Sequence, residues 1–423
     1  MRYSGIAVAV VSAGVAMSLA GCGPKNLASS TGTPSGSPSA SASASASGTG
    51  TGTTSTSGSA SGAYQFRSLD DPADLTFNQL LGINNHDVIA GYFGSGAAGH
   101  PNKGYLLFRT AAGFKGVNEN VPGSVQTQVT GLNDRGVTVG FWSAMNAAQN
   151  NDNTGFYSVG GHTVNVKFPT TNNSTPPVNQ LLGVNDHNVA VGFYNDAQSN
   201  AHGYTYHIFS GRFRSVTVQG ASSLTAAAIN NLGDIAGFMT NAAGTTDGFL
   251  QTDGGRTTTL AYPGASMTQA LGVNDFREVV GVYQVGTGNS AVTHGFTWSP
   301  RHGFKSVDDP QGVGTTTING VNDEGQVVGF YTDGAGNTDG FAAAPVGQAP
   351  FGPLISIPVV SASPTAMPSM PPSTMMPSTS PSATTMPTSS PTSMPTSSMS
   401  PSPMPTSPTT SPMPSSSLQP THF

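Results

Sequence analysis

One unit of about 47 residues occurs six times between residues 79 and 341. A repeat of that period restricts a chain to architectures made by stacking or ringing one supersecondary element. Its clearest part reads GINNHDVIAGYF, GLNDRGVTVGFW, GVNDHNVAVGFY, AINNLGDIAGFM, GVNDFREVVGVY and GVNDEGQVVGFY. The asparagines fall at Asn84, Asn133, Asn185, Asn230, Asn274 and Asn322. A glycine follows each by seven residues: Gly91, Gly140, Gly192, Gly237, Gly281 and Gly329. A Gly-aromatic pair comes 18 to 22 residues after the asparagine, from Gly104-Tyr105 to Gly340-Phe341.

Each unit carries four strand signals. Strand a ends at the asparagine (Gln79–Asn84), b follows (Val88–Phe93), and c spans the second Gly-aromatic pair (Lys103–Phe108). Strand d is the FKGV or FKSV element. Asn and Asp bond nearby backbone N–H groups and, like Gly, tolerate positive φ, so the a–b connection reads as a hairpin turn. Strand b is apolar on both faces (Ile89-Ala90, Val279-Val280, Val327-Val328), as in a strand sandwiched between layers. No segment sustains a helical period for three turns. The phase of the repeat adds closure. The first d strand (Gln65–Leu69) has no a, b and c of its own, and the last a-b-c set has no d. The sequence therefore predicts an all-β, six-bladed β-propeller over residues 63–345, closed by pairing that first strand with the last three-strand set. An open β-solenoid would strand those orphan pieces at opposite ends.

The units resemble the HAF-type bacterial extracellular repeats. The likeness rests on Val121-Pro122-Gly123-Ser124 or Tyr262-Pro263-Gly264-Ala265 leading into the Gly/Ala-x-Asn turn, then on His202-Gly203-Tyr204 or His294-Gly295-Phe296. It covers roughly residues 64 to 345. The eponymous histidine is replaced by Lys103, Thr154, Asp247 and Asp339 in the other four copies. The resemblance implies secretion and a propeller, and no particular biochemical activity.

The flanks give an address. Arg2 precedes an apolar run from Ile6 to Ala20, too short for a stable membrane-spanning helix, which ends in Leu19-Ala20-Gly21-Cys22. This resembles a lipobox, so residues 1–21 are expected as a lipoprotein signal peptide and Cys22, the only cysteine, as the acylated residue. Two acyl chains suit stable anchoring, because each buried CH₂ adds about 0.8 kcal/mol. Residues 22–62 are Gly/Ser/Thr-rich and read as a flexible linker with a reach of roughly 35 Å. Residues 346–423 are rich in Pro, Ser, Thr and Met and lack charge, which predicts a disordered, polyproline-like tail. Nine of the 14 methionines lie there, yet Met394, Met399 and Met404 would stand about 15 Å apart on an extended helix, too far for joint copper ligation.

Only 8% of residues are charged, against about a quarter in an ordinary globular protein. All 20 acidic and 12 of the 14 basic residues lie within 63–345. That excludes a basic nucleic-acid binder. Strand a would line the channel, and Gln79, Gln128, Gln180, Thr225, Gln269 and Thr317, each five residues before a turn asparagine, would form a polar ring at one end. The same side chains could instead satisfy backbone groups of the next blade. The small residues three positions on (Gly82, Gly131, Gly183, Ala228, Gly272, Gly320) suit crowding at the axis.

Asp134, Asp186, Asp275 and Asp323 lack the spacing of a calcium loop and read as turn chemistry. Asp70-Asp71 and Asp308-Asp309 recur before proline and read the same way. No metal, cofactor or catalytic constellation is expected from the motifs. The leading expectation is a monomeric, lipid-anchored binding or scaffold module on the extracytoplasmic face, its partner a glycan or protein. The alternative is a polysaccharide-acting enzyme, which would need a unique acid cluster in one blade.

Overall fold

A computed structural model describes residues 59–97, 99–144 and 152–356. Cys22, the signal segment and the tail beyond 356 lie outside the described residues. The chain opens on β1 (Ser59–Ser61) and β2 (Tyr64–Ser68). The first repeat supplies β3 (Asn78–Ile83), β4 (Ile89–Phe93), β5 (Lys103–Thr110) and β6 (Gly113–Asn118). The second gives β7 (Gln126–Leu132), β8 (Thr138–Ser143), β9 (Thr154–Val159) and β10 (His162–Val166). Next come β11 (Asn179–Val184), β12 (Val189–Asn195), β13 (Ala201–His207) and β14 (Arg212–Ser215). The fourth repeat holds β15 (Ala221–Ile229), β16 (Ile235–Asn241), β17 (Thr246–Gln251) and β18 (Thr257–Leu260). The fifth holds β19 (Met267–Val273), β20 (Val279–Val285), β21 (Val292–Ser299) and β22 (Gly303–Val307). Last are β23 (Thr316–Val321), β24 (Val327–Thr332), β25 (Thr338–Pro345) and β26 (Leu354–Ser356).

Within each repeat successive strands pair antiparallel, and the sheets take a β-propeller arrangement. No α-helix occurs among the described residues, and no helix there is long and apolar enough to cross a membrane. Strand b is buried along most of its length, as its two-sided apolar pattern requires: Ile89 to Tyr92 in β4 and Val327 to Tyr331 in β24 are all buried. The outer strands β14 and β18 are mostly exposed. Between sheets lies a buried core, with Leu80, Tyr105, Phe156, Leu181, Phe249 and Phe296 at or near zero exposure.

The first strand pairs with the last hairpin: β2 runs antiparallel to β25 in the register Tyr64↔Pro345 to Ser68↔Phe341, and Leu69 N–H donates to Gly340 O at 2.8 Å. Strand β1 adds outside β2. At the other end the fold does not stop at 345. Strand β26 lies parallel to β6, Phe114 N–H donates to Pro353 O at 2.7 Å, and Phe351, 1% exposed, packs on Phe114 at 5.6 Å. This segment is a fifth strand on the first sheet, and it explains why β6 is more buried than the other outer strands. Phe351→Ala is expected to cost about 3 kcal/mol, the usual scale for an emptied aromatic site. Urea unfolding checks this, and a loss below about 1 kcal/mol would mean the segment is not part of the cooperative unit.

Candidate functional site

The inner strands β3, β7, β11, β15, β19 and β23 together line one axial cavity. Each carries a β-bulge at the same place, between Leu80 and Gly82 in β3 and between Ile318 and Gly320 in β23. The extra residue joins the cavity wall: Leu81, Thr130, Leu182, Ala227, Leu271 and Asn319. Next to it the small-residue row lets neighbouring backbones touch. A Cβ on Gly82 would meet Gly131 Cα at 3.1 Å, and one on Gly320 would meet Gly82 Cα at 3.1 Å. The third row is aliphatic, with Ile83, Leu132, Val184, Ile229, Val273 and Val321. Two polar side chains also line this waist: Thr130 Oγ1 donates to Leu181 O at 2.8 Å and Asn319 Nδ2 to Leu80 O at 3.1 Å.

At one end the waist opens into a second cavity lined by the turn residues. Each repeat asparagine first builds its own turn. Asn185 Oδ1 accepts from His187 N at 3.1 Å and Val189 N at 3.0 Å, satisfying two donors the hairpin would otherwise leave open. Its Nδ2 then reaches the next repeat and donates to Asn230 O at 3.0 Å. The same bond runs from Asn84 to Asn133, Asn133 to Asn185, Asn230 to Asn274 and Asn274 to Asn322. It returns from Asn322 Nδ2 to Asn84 O at 3.3 Å.

A second circuit sits one residue further out. Asn85 N donates to Asp134 Oδ1, Asp134 N to Asp186 Oδ1, and Asp186 N to Asn231 Oδ1. It continues through Asn231 N to Asp275 Oδ1 and Asp275 N to Asp323 Oδ1, and closes from Asp323 N to Asn85 Oδ1. The two asparagines in this circuit separate the acids. Asn85 Nδ2 bridges Asp134 Oδ2 (3.0 Å) and Asp323 Oδ2 (2.9 Å), and Asn231 Nδ2 bridges Asp186 Oδ2 (3.0 Å) and Asp275 Oδ2 (3.1 Å). Amide donors thus hold four carboxylates around one cavity. Two positions past the turn asparagine stand His86, Arg135, His187, Leu232, Phe276 and Glu324, all exposed, with Phe276 at 74%. Carboxylates accept hydroxyl or ammonium donors, and an exposed ring can cover an apolar face.

The Gln/Thr set lies elsewhere. Gln79, Gln128, Gln180, Thr225, Gln269 and Thr317 are 1–5% exposed and line neither cavity. The reason is geometric. A sheet that turns its inner edge to the axis points most side chains at the neighbouring sheets, and the residues that reach the channel lie at the bulge or between it and the turn, past the Gln/Thr position. Gln79 Oε1 accepts from Tyr92 Oη at 2.8 Å, Gln128 Nε2 donates to Asn102 Oδ1 at 2.9 Å in the preceding repeat's loop, and Gln180 Nε2 does likewise to Asn153 Oδ1. The residues that do crown the cavity were legible as turn formers, but their bonds across repeats were not.

Among the described residues no group of three or more His, Cys, Asp or Glu gathers at metal-ligand spacing. No protein-family profile matches the chain, and no curated protein does. Among solved structures the chain is similar to AofleA from Arthrobotrys oligospora, at 11% identity and TM-score 0.43, covering 68% of this chain and 90% of that one. It is also similar to the SapL1 lectin in complex with alpha methyl fucoside (10% identity, TM-score 0.40, 66% and 98% covered). A third is a polysaccharide lyase, a PL25 ulvan lyase (13% identity, TM-score 0.37, 62% and 77% covered).

Proposed function

We infer that this chain is a six-bladed propeller of HAF-type repeats, closed by β2 on β25, anchored through acylated Cys22 on the extracytoplasmic face of the membrane and binding a glycan at the Asn/Asp-rimmed channel mouth. The six-blade, closed reading is supported by two hydrogen-bond circuits that pass once through every repeat and return to their start. The anchor rests on the Leu19-Ala20-Gly21-Cys22 sequence. One observation carries the binding reading: Asp134, Asp186, Asp275 and Asp323 line a common cavity, and Phe276, which follows Asp275 in the chain, is exposed. Four negative charges there favour hydroxyl-rich neutral or amino sugars and repel uronates and sulfated chains.

The test is an array of neutral, amino and acidic glycans probed with the full chain. Retention of neutral or amino glycans and rejection of acidic ones is expected. Asp186→Asn keeps an acceptor for Asp134 N but removes the one that Asn231 Nδ2 uses, so its unfolding is measured alongside, and lost charge at the site should weaken binding about tenfold. Phe276→Ala should weaken it about fivefold, with a stability change under about 0.5 kcal/mol because the ring is exposed. An empty array, or both variants binding like the parent, would refute the glycan site.

A further inference from the structure

The waist and the mouth of the channel share a row, because Ile83, Leu132, Val184, Ile229, Val273 and Val321 line both. Their chemistry differs. The waist is aliphatic apart from Thr130 and Asn319, and it holds about 620 Å³ of open space, the part continuous with solvent included. Small-molecule sites usually enclose about 300–1,000 Å³. The mouth is ringed by Asp134, Asp186, Asp275 and Asp323, held in two pairs by the Asn85 and Asn231 amides. His86 Nδ1 stands 3.7 Å from Asp134 Oδ1 on an exposed side chain, and Arg277 is committed to Asp234 at 2.7 Å.

Asn319 breaks the aliphatic pattern deeper in the channel. It occupies the bulge position at which β3, β11 and β19 carry Leu81, Leu182 and Leu271. The side chain lines the waist and is only 5% exposed. Its Nδ2 is used on Leu80 O, while its Oδ1 accepts no hydrogen bond among the described residues. A buried amide oxygen left open costs free energy that an incoming donor recovers. From Asn319 to Asp323 the wall advances four residues, at most about 13 Å of extended chain. One open acceptor and a ring of carboxylates thus stand at two levels of one aliphatic passage.

We propose that the channel binds a linear alkylammonium ion, its cationic head among the four carboxylates, its methylene chain along the aliphatic rows and a donor at its far end on Asn319 Oδ1. The inference goes beyond the glycan reading, which uses the mouth alone. Charge selects the head, because four carboxylates around one cavity attract a cation and repel an anion. An ammonium brings three donors, and carboxylate oxygens accept them. The wall selects the chain: each buried methylene adds to binding, whereas sugar hydroxyls would lose water against aliphatic side chains. The small-residue row from Gly82 to Gly320 sets no long side chain across the passage.

Isothermal titration of the full chain with octylamine, 8-amino-1-octanol and 1-octanol tests this. Octylamine is expected to bind at least about tenfold tighter than 1-octanol, and affinity should fall about threefold per methylene from octylamine to butylamine. 8-Amino-1-octanol should bind the parent at least as tightly as octylamine. Asn319→Leu, the side chain three other repeats carry there, should reverse that order. Ala227→Leu gives the fourth repeat the same side chain, narrows the waist and should weaken octylamine about tenfold while glycan retention stays unchanged. Equal binding of octylamine and 1-octanol, or an affinity indifferent to chain length, would overturn the site, and both are read on the parent whatever the stability of the variants. An unreversed order in Asn319→Leu would overturn the far-end contact. The chain-length trend with an empty glycan array would refute the glycan reading and leave this one standing.

Discussion

Gly281→Ala is expected to leave the chain unable to hold its native fold, at a cost of at least about 3 kcal/mol. A Cβ built on Gly281 would lie 1.9 Å from the carbonyl oxygen of Gln269 and 2.9 Å from the Phe296 ring. Both neighbours are fixed: one is backbone in the paired strand β19, the other a fully buried ring. The same collision awaits the equivalent glycines, with contacts of 2.0 Å from Gly140 to Gln128 O and from Gly192 to Gln180 O. The repeat glycine is therefore a packing requirement, since it lies in an extended strand and not in a turn. Gly334→Ala is the control, because nothing lies within 4 Å of its Cβ position. Denaturant unfolding of the two variants side by side decides the point. A Gly281→Ala protein within about 1 kcal/mol of the parent would mean that β19 can shift to make room.

Asn185→Ala should be nearly as damaging. It strips acceptors from the His187 and Val189 N–H groups and the donor from Asn230 O, in a residue only 5% exposed. Each orphaned group costs about 1–3 kcal/mol, so a loss of about 3 kcal/mol or more is expected. Asn185→Asp separates the turn from the circuit across repeats. It keeps both acceptor bonds and removes only the donor to Asn230, setting a charge against a carbonyl. A loss of about 1–3 kcal/mol from Asp is expected. If Asp proves neutral while Ala destabilises, the asparagine stabilises its own hairpin alone.

These two residues also measure how far the sequence could be read. The spacing of Asn84, Asn133 and their successors marks six units, and the orphan strand at Gln65–Leu69 foretells its pairing with the last set, which β2 and β25 make in the register Tyr64↔Pro345. The two-sided apolar strand b foretells burial between layers, and Ile89, Val139 and Val280 are fully buried. Phe351–Val360 carries one strand's worth of sequence, but that Phe351 docks on Phe114 of the first sheet is not legible, because a short segment beside a proline-rich stretch carries no period. The Gln/Thr ring went astray through one bulge per inner strand. A bulge leaves no mark in composition, yet it decides which residue of Leu80, Leu81 and Gly82 turns toward the channel.

The acid groupings divide in the same way. Asp70-Asp71 and Asp308-Asp309 read as turn formers, and Asp71 and Asp309 do accept from the N–H groups of Ala73 and Gln311. What a linear reading cannot contain is Asp70 accepting from the N–H of Gly340, 270 positions along the chain. Local periodicity, turn chemistry and the phase of the repeat are properties of neighbours along the backbone, and these the sequence determined by itself. Which side chains face the axis, which amides bridge one repeat to the next, and which backbone N–H meets Asp70 are set only when strands distant in sequence pack, because desolvation and hydrogen bonding act on neighbours in space.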